Sequence, residues 1–589
     1  MKSYLFAAAA AIVPNLAFAV PTCTGEKQYF FDTIPASVDL KWYPCNQTYE
    51  CARLSVPLNP LEPKNGLRSE IPIIKRPAKC GSGEYKGIIL TNPGGPGGLG
   101  IEFIFTYGET IANFTGPGWD IIGFDPRGMG YSKPNGAIGW NGVPLVAANL
   151  QNATYLTQKQ LGKRAIRPDH YGLKIAPRPA AWIDTVIESG VEFNELLQAK
   201  ANADNQAVPY MTTPNVAFDM LQIAKADARL KGKPEENVLV NYYGLSYGSV
   251  VGQTFTSLYP QHVGRFVIDS VVDLEDWYNA DIRSTLQHTD EGVSTFFTTC
   301  FDAGPEKCAF FTGHTSGAIR DRFNNLWANF DTARGIQENW ANVTDVSVGQ
   351  EVMKNILIQV PYNAIVTFPA YAKILATVET LVKVKNATAA NMEEISVQWT
   401  GPPDPSDPVR GENALEAWCS DSNNPRMVGS DLPVPQEFID TVHNYSVSSG
   451  ERFIQVYGIC SRLKLRPKWR FSGKIGGATK TPVLFIGLSK DPVTPFENAE
   501  KARTLHKGAK MIYVDAVGHG ILGQRNWCVF DKVRAYFQNL TLPGHDNRCP
   551  RSEIPFQYIP ETPREKREAW DSMAHHRNIV RMHRSIGLL

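Results

Sequence analysis

Excess charge of either sign is missing from this chain: 59 Lys and Arg stand against 58 Asp and Glu, a formal net charge of +1. That balance gives no electrostatic case for binding nucleic acid or an anionic membrane, which needs a surplus of cations to displace counterions. Metal-ligand spacing is missing too. The ten cysteines include no CxxC pair and no Cys/His cluster at zinc spacing, so no metal or organic cofactor is expected. There is no internal repeat and no long low-complexity tract. Beyond the first residues no run approaches the about 20 apolar residues that span a bilayer. What remains is an ordinary globular composition, 43% hydrophobic and 20% charged. At 589 residues the chain exceeds what one core usually serves, so one large domain with an insertion, or two domains, is expected.

Residues 1–19 read as a secretory signal. Lys2 gives the positive start, Leu5 to Val13 form a short apolar run, and Ala17-Phe18-Ala19 is an A-x-A cleavage site. A membrane anchor is the alternative, but Pro14 and Asn15 cut the run short. Export agrees with seven sequons, at Asn46, Asn113, Asn152, Asn342, Asn386, Asn444 and Asn539, which are expected glycosylation sites. In an oxidising compartment the cysteines should pair. Cys45 with Cys51, Cys300 with Cys308 and Cys528 with Cys549 are the local candidates, and Cys23–Cys80 and Cys419–Cys460 would complete the set. Sequence does not fix that connectivity.

Short β-branched runs alternate with helical stretches, the pattern of a mostly parallel sheet with helices on both faces. Gly87–Thr91, Asp120–Phe124, Asn237–Tyr243, Arg265–Asp269, Pro482–Ile486 and Lys510–Val514 are the expected strands. Each runs into a loop rich in Gly, Asp or Pro, where open α/β sheets bind ligands. Between residues 281 and 455 the strand pattern fades into helices, which predicts a mainly helical cap inserted in the sheet domain. A separate second domain would leave the sheet without its two late strands. The expected division is residues 20–280 and 456–550 for the two parts of the core, 281–455 for the cap, and 551–589 for a charged tail.

Gly244-Leu-Ser-Tyr-Gly248 fits the G-x-S-x-G turn that lifts a nucleophile from a strand into a helix. The pentapeptide alone is weak and could be an ordinary strand–turn–helix corner. Its setting, a β-branched strand before and a helix-like run after, favours Ser246 as nucleophile. A serine hydroxyl needs a base, oriented by a carboxylate. His519, in Asp515-Ala-Val-Gly-His-Gly520 directly after the last strand, is the base expected among eleven histidines. His506, His575, His576 and His583 read as surface residues. Asp491, after the strand Pro482–Ile486, is the expected acid, with Asp273 as runner-up; the bland reading of Asp491 is a turn residue before Pro. Backbone N–H groups of Tyr247 and of Gly95, in Pro93-Gly-Gly-Pro-Gly97, are the expected oxyanion donors. A phosphate loop is the alternative for that glycine run, but its spacing matches neither G-x-G-x-x-G nor a P-loop.

These blocks, with Asp125-Pro-Arg-Gly-Met-Gly-Tyr-Ser132, Tyr210-Met-Thr-Thr-Pro-Asn-Val-Ala-Phe-Asp219 and the region from Cys460 to Cys549, resemble the tripeptidyl-aminopeptidase-like branch of the α/β-hydrolase peptidases, relatives of prolyl iminopeptidases. Pro93 stands where prolyl iminopeptidases carry His. The resemblance covers about residues 40–135, 208–275 and 455–550, and implies the α/β-hydrolase fold with Ser246, Asp491 and His519 as a triad. It also implies a secreted exopeptidase that takes short peptides from free N-termini. In such enzymes cap carboxylates bind the substrate ammonium; Glu379, Glu393, Glu394 and Glu416 are the candidates here, none singled out by spacing. A secreted carboxylesterase or lactone hydrolase would use the same machinery. A catalytically inactive binding protein would be expected to lack a triad member.

Overall fold

The computed structural model describes residues 30–557 apart from 47, 80, 82, 141–142, 144–169, 179–180, 204–206, 282, 331–339, 341–342, 386, 401–409 and 525. The signal segment, the Cys23–Cys80 pair, the sequons at Asn152, Asn342 and Asn386, and the basic tail after 557 lie outside the described residues. Twelve strands occur among those described: β1 (Tyr43–Cys45), β2 (Tyr49–Pro57), β3 (Arg68–Arg76), β4 (Gly87–Asn92), β5 (Trp119–Phe124), β6 (Val240–Leu245), β7 (Val263–Asp269), β8 (Gly477–Ala478), β9 (Leu484–Lys490), β10 (His506–Lys507), β11 (Lys510–Val517) and β12 (Arg548–Cys549).

Ten of them form one sheet in the order β1-β2-β3-β5-β4-β6-β7-β9-β11-β12. Pairing is antiparallel from β1 to β5 and parallel from there to β12. The parallel strands are apolar on both faces because helices cover both. In β6, Tyr242 packs into one core and Tyr243 into the other; Phe266 and Val267 divide in the same way in β7. Helices Thr213–Leu230, Tyr247–Leu258 and Phe496–Leu505 lie on the first face, and Gly100–Thr115 and Trp527–Asn539 on the second. The chain leaves β4 for β5 on one side and returns to β6 on the other. That reversal opens a crevice at the carboxyl ends of β4 and β6.

Between β7 and β9, neighbours in the sheet, the chain inserts a run of helices from Leu274–Asn279 to Gly450–Cys460. Buried polar ties hold them. Asp290 accepts from the Ser446 and Ser448 hydroxyls and the Val447 and Ser448 N–H groups at 2.6–3.1 Å, with His170 Nδ1 at 3.0 Å. Four disulfides, Cys45–Cys51, Cys300–Cys308, Cys419–Cys460 and Cys528–Cys549, pair as the sequence suggested.

Two expectations are corrected. His506 is buried, not on the surface: its Nε2 meets Thr256 Oγ1 at 2.9 Å, its Nδ1 meets the Ala502 carbonyl at 2.8 Å, and burial lowers its pKa. The stretch Asp345–Lys383 is long and apolar enough to cross a bilayer by length and composition. Here its Met353, Leu357, Phe368, Tyr371 and Leu375 pack in one core cluster with Phe296, Phe323 and Trp327.

His288 joins the first long inserted helix to the sheet domain. Its Nδ1 faces Glu291 at 2.8 Å, and its Nε2 faces Glu497 at 3.0 Å; Lys490 lies 3.5 Å from Glu291. The Glu291 hydrogen bond, with help from Glu497 and against burial, raises the imidazole pKa to about 8. A base whose folded pKa is raised stabilises the fold below its unfolded value, about 6.5, and ceases to do so as pH rises through about 8. His288→Gln should therefore lower stability at pH 6 by about 1 kcal/mol, allowing for solvent screening. Denaturant titration should show the difference from wild type vanish by pH 9.

Candidate active site

Ser246 sits between β6 and the helix Tyr247–Leu258 with φ 60° and ψ −123°, backbone space that L-residues seldom occupy. The flanking glycines are forced by contact. A Cβ on Gly244 would fall 2.5 Å from the Gly248 carbonyl oxygen, and one on Gly248 would fall 2.6 Å from the Asn92 carbonyl oxygen. The glycine-rich loop after β4 lies directly against this turn. A Cβ on Gly94 would meet Ser246 Cβ at 2.6 Å and the Tyr247 nitrogen at 3.0 Å. Gly94 N–H donates to Asn92 Oδ1 at 2.9 Å. Gly95 N–H has no such partner among the described residues.

Asp491 and His519 meet at the neighbouring strand ends. His519 Nδ1 lies 3.0 Å from each Asp491 carboxylate oxygen and 3.1 Å from Thr494 Oγ1. Asp491 is fully buried, accepting from the Val493 and Thr494 N–H groups at 3.0 and 2.8 Å and from the Ser270 hydroxyl at 2.7 Å. It is thus a turn residue and the partner of His519 at once. A Cβ on Gly520 would fall 2.4 Å from Leu245 Cδ1, which puts the His519 loop beside the residue before Ser246. His519 Nε2 is buried and makes no hydrogen bond, so the Ser246–His519 contact is not closed in this structure. Asp273, the runner-up acid, caps the helix Leu274–Asn279 and pairs with Lys501 at 2.7 Å. It makes no hydrogen bond with His519.

A family model described as alpha/beta hydrolase fold matches residues 87–307, and one described as TAP-like protein matches residues 446–549. The chain is similar to the tripeptidyl aminopeptidase of Streptomyces lividans, 24% identical over 512 residues that cover 85% of this chain and 83% of that protein. The chain is a TAP-like α/β hydrolase. It is a serine hydrolase, and the similarity extends to serine protease Hip1 of Mycobacterium bovis, 25% identical over 43% of each chain. A shorter stretch resembles carboxylesterase B of Mycobacterium tuberculosis, 36% identical over 15% of this chain and 16% of that one.

In this hydrolase the inserted helices reach the back of the oxyanion candidate Tyr247. The Tyr247 hydroxyl meets Thr213 Oγ1 at 2.7 Å, and its ring packs on Trp277, which stacks on Trp418. Asp421 takes the Thr213 N–H and the Trp277 indole N–H, both at 2.9 Å, and also the Thr213 hydroxyl. Burial raises its pKa to about 6. Of the carboxylates considered for a substrate amine, Glu379 is paired with Arg322 and Lys383, Glu393 and Glu394 are exposed, and Glu416 is buried.

Sequence reasoning missed the residues that hold the Asp491 and His519 loops together. Ser270, fully buried, donates to Asp491 Oδ2 and accepts the Gly520 N–H, both at 2.7 Å. Its neighbour Asp269 takes the Ile521 N–H at 2.9 Å and the Tyr243 hydroxyl at 2.7 Å; burial raises its pKa to about 6. The signal available was their position at the end of a strand, next to the one carrying Ser246. Ser270 has φ 51°, a conformation glycine adopts freely. Ser270→Gly should therefore fold normally and lose only the hydroxyl. A hydrogen bond to a charged group is worth about 1.5–3 kcal/mol, so kcat should fall about ten- to hundred-fold. A fall in kcat with Tm unchanged would mark Ser270 as a positioning residue for the Asp491–His519 pair, whereas a matching loss of Tm would make it merely structural.

Proposed function

We propose that this hydrolase is a secreted serine exopeptidase that releases short peptides from free N-termini. Ser246 Oγ attacks the scissile carbonyl carbon and passes its proton to His519 Nε2. Asp491, on the far ring nitrogen, fixes the tautomer and stabilises the imidazolium that forms. The oxyanion is held by the N–H groups of Gly95 and Tyr247, each donor worth about 2.7–4 kcal/mol. As the C–N bond breaks, His519 returns the proton to the leaving amine. Water then enters by the same base, cleaves the acyl-enzyme ester and frees the peptide acid.

The observation that carries this reading is the 3.0 Å Asp491–His519 contact with Nε2 left free, beside the strand end that presents Ser246. In free enzymes such catalytic hydrogen bonds are often open and close only on substrate. Peptide as substrate rests on the tripeptidyl aminopeptidase and serine protease relatives. Glu416, buried in the helix Arg410–Asp421, is our choice for the carboxylate that meets the substrate ammonium. Export rests on the apolar N-terminal segment and on four disulfides, which persist in oxidising compartments; among the sequons in the described residues, Asn46 and Asn539 are exposed and Asn113 and Asn444 half-buried. The stretch similar to carboxylesterase B supports one second reading, a carboxylesterase with the same triad.

Mass spectrometry of products from a peptide library should show short N-terminal fragments released by wild type and none by Ser246→Ala. Asp491→Asn should lower kcat about ten-thousand-fold with Tm little changed. Turnover confined to blocked esters would replace the peptidase by the esterase. A native protein that takes no fluorophosphonate label would end both.

A further inference from the structure

Asn363 closes the turn Val360–Asn363 between the two inserted helices that approach the His519 loop. The residue before it, Tyr362, accepts the His519 N–H on its carbonyl at 2.8 Å and sets its ring edge-on to the imidazole, centroids 5.1 Å apart. Asn363 itself is 2% exposed. Both its Oδ1 and its Nδ2 are buried without a hydrogen-bond partner. Among the described residues it is the one side chain with two separate polar atoms left in that state.

The ordinary structural role for this residue is excluded by geometry. Asn363 occupies the N-cap of the helix Ala364–Lys383, where an asparagine oxygen would take an N–H from the first turn. Its side chain makes no capping bond. Its backbone carbonyl accepts from the Thr367 hydroxyl at 2.8 Å. The carboxamide turns instead onto the loop that follows His519. It lies over Gly523, where a Cβ would stand 3.0 Å from Nδ2 and 3.5 Å from Oδ1. A buried amide left unpaired weakens the fold, and natural proteins carry such defects at functional sites or where bound water fills the gap.

We infer that Asn363 is a substrate-binding residue, whose carboxamide pairs with a main-chain peptide group of the bound substrate. Resting on the peptidase reading above, this names what the inserted helices read. An asparagine side chain presents one acceptor and one donor side by side, the complement of the N–H and C=O that an extended peptide offers. An aryl ester of a short acid has no such pair. Asn363 therefore adds affinity for peptides and nothing for small esters, a distinction the triad alone does not make.

The test compares wild type with Asn363→Ala and Asn363→Leu on a tripeptide anilide with a free amino terminus and on a short-chain aryl ester. For both variants KM for the anilide should rise at least tenfold, with ester kcat/KM within twofold of wild type. Asn363→Leu, which replaces the unpaired amide by an apolar group of similar size, should also keep or raise Tm. Unchanged anilide kinetics in both variants would overturn the inference alone and assign the amide to bound water. Equal loss on both substrates with a lowered Tm would overturn it in favour of a packing role. A wild type that hydrolyses only the ester would overturn the peptidase reading and this inference together.

Discussion

The hydroxyl of Ser270 is shared by two segments that the chain brings from far downstream, Asp491 at a separation of 221 residues and Gly520 at 250. The Asp491 carboxyl group, buried away from water, needs hydrogen-bond donors, and the His519 loop needs an acceptor for its N–H. One oxygen at the end of β7 meets both demands. Because β7 is paired to β6, with Asp269 opposite Leu245, and Ser246 N–H is bonded to the Asp269 carbonyl at 3.1 Å, the same strand end also holds the serine turn. Asp491, His519 and Ser246 thus share one rigid reference, the hydrogen-bond register of two neighbouring strands.

The inserted helices are tied to that reference by polar contacts as well as by apolar packing. Asp421 grips Thr213 and Trp277 behind Tyr247, and Tyr362 grips the His519 backbone. Farther out, Arg178 bridges Glu351 and Glu451 at 2.8 and 2.9 Å, and Lys354 joins Glu451 at 2.5 Å. A buried ion pair contributes little net stability, but removing one partner leaves a charge stranded and is costly. Such ties fix orientation. They set the inserted helices over the strand ends in one arrangement, so that groups such as Tyr362 and Asn363 face the His519 loop.

Legibility followed the physics of each signal. Strands β4, β5, β6, β7, β9 and β11 announce themselves because they are buried on both faces and read as β-branched runs. Strands β2 and β3 do not. Arg53 lies buried mid-strand in β2 and Pro72 sits inside β3, and a charge or a proline in a run argues against a strand until its partners are known. The terminal nitrogens of Arg53 find the Phe31 carbonyl at 2.6 Å and Glu70 at 3.3 Å, neither predictable from spacing. His506 misled for the same reason: a polar residue in a helix-like context reads as exposed, while Thr256, 250 positions away, supplies its buried partner.

From the sequence alone came everything that depends on local chemistry. The Gly-x-Ser-x-Gly turn is such a case, since only glycine survives the 2.5–2.6 Å approaches around Ser246, and so are the strand-end loops holding Asp491 and His519 and the pairing of near cysteines. Tertiary structure decided what depends on groups far apart in the chain: that Asp273 caps a helix while Asp491 meets His519, that Ser270 joins their loops, and that Asn363 turns from its helix toward them. Hydrogen bonds act over about 3 Å, and only the folded chain brings partners separated by hundreds of residues to that distance.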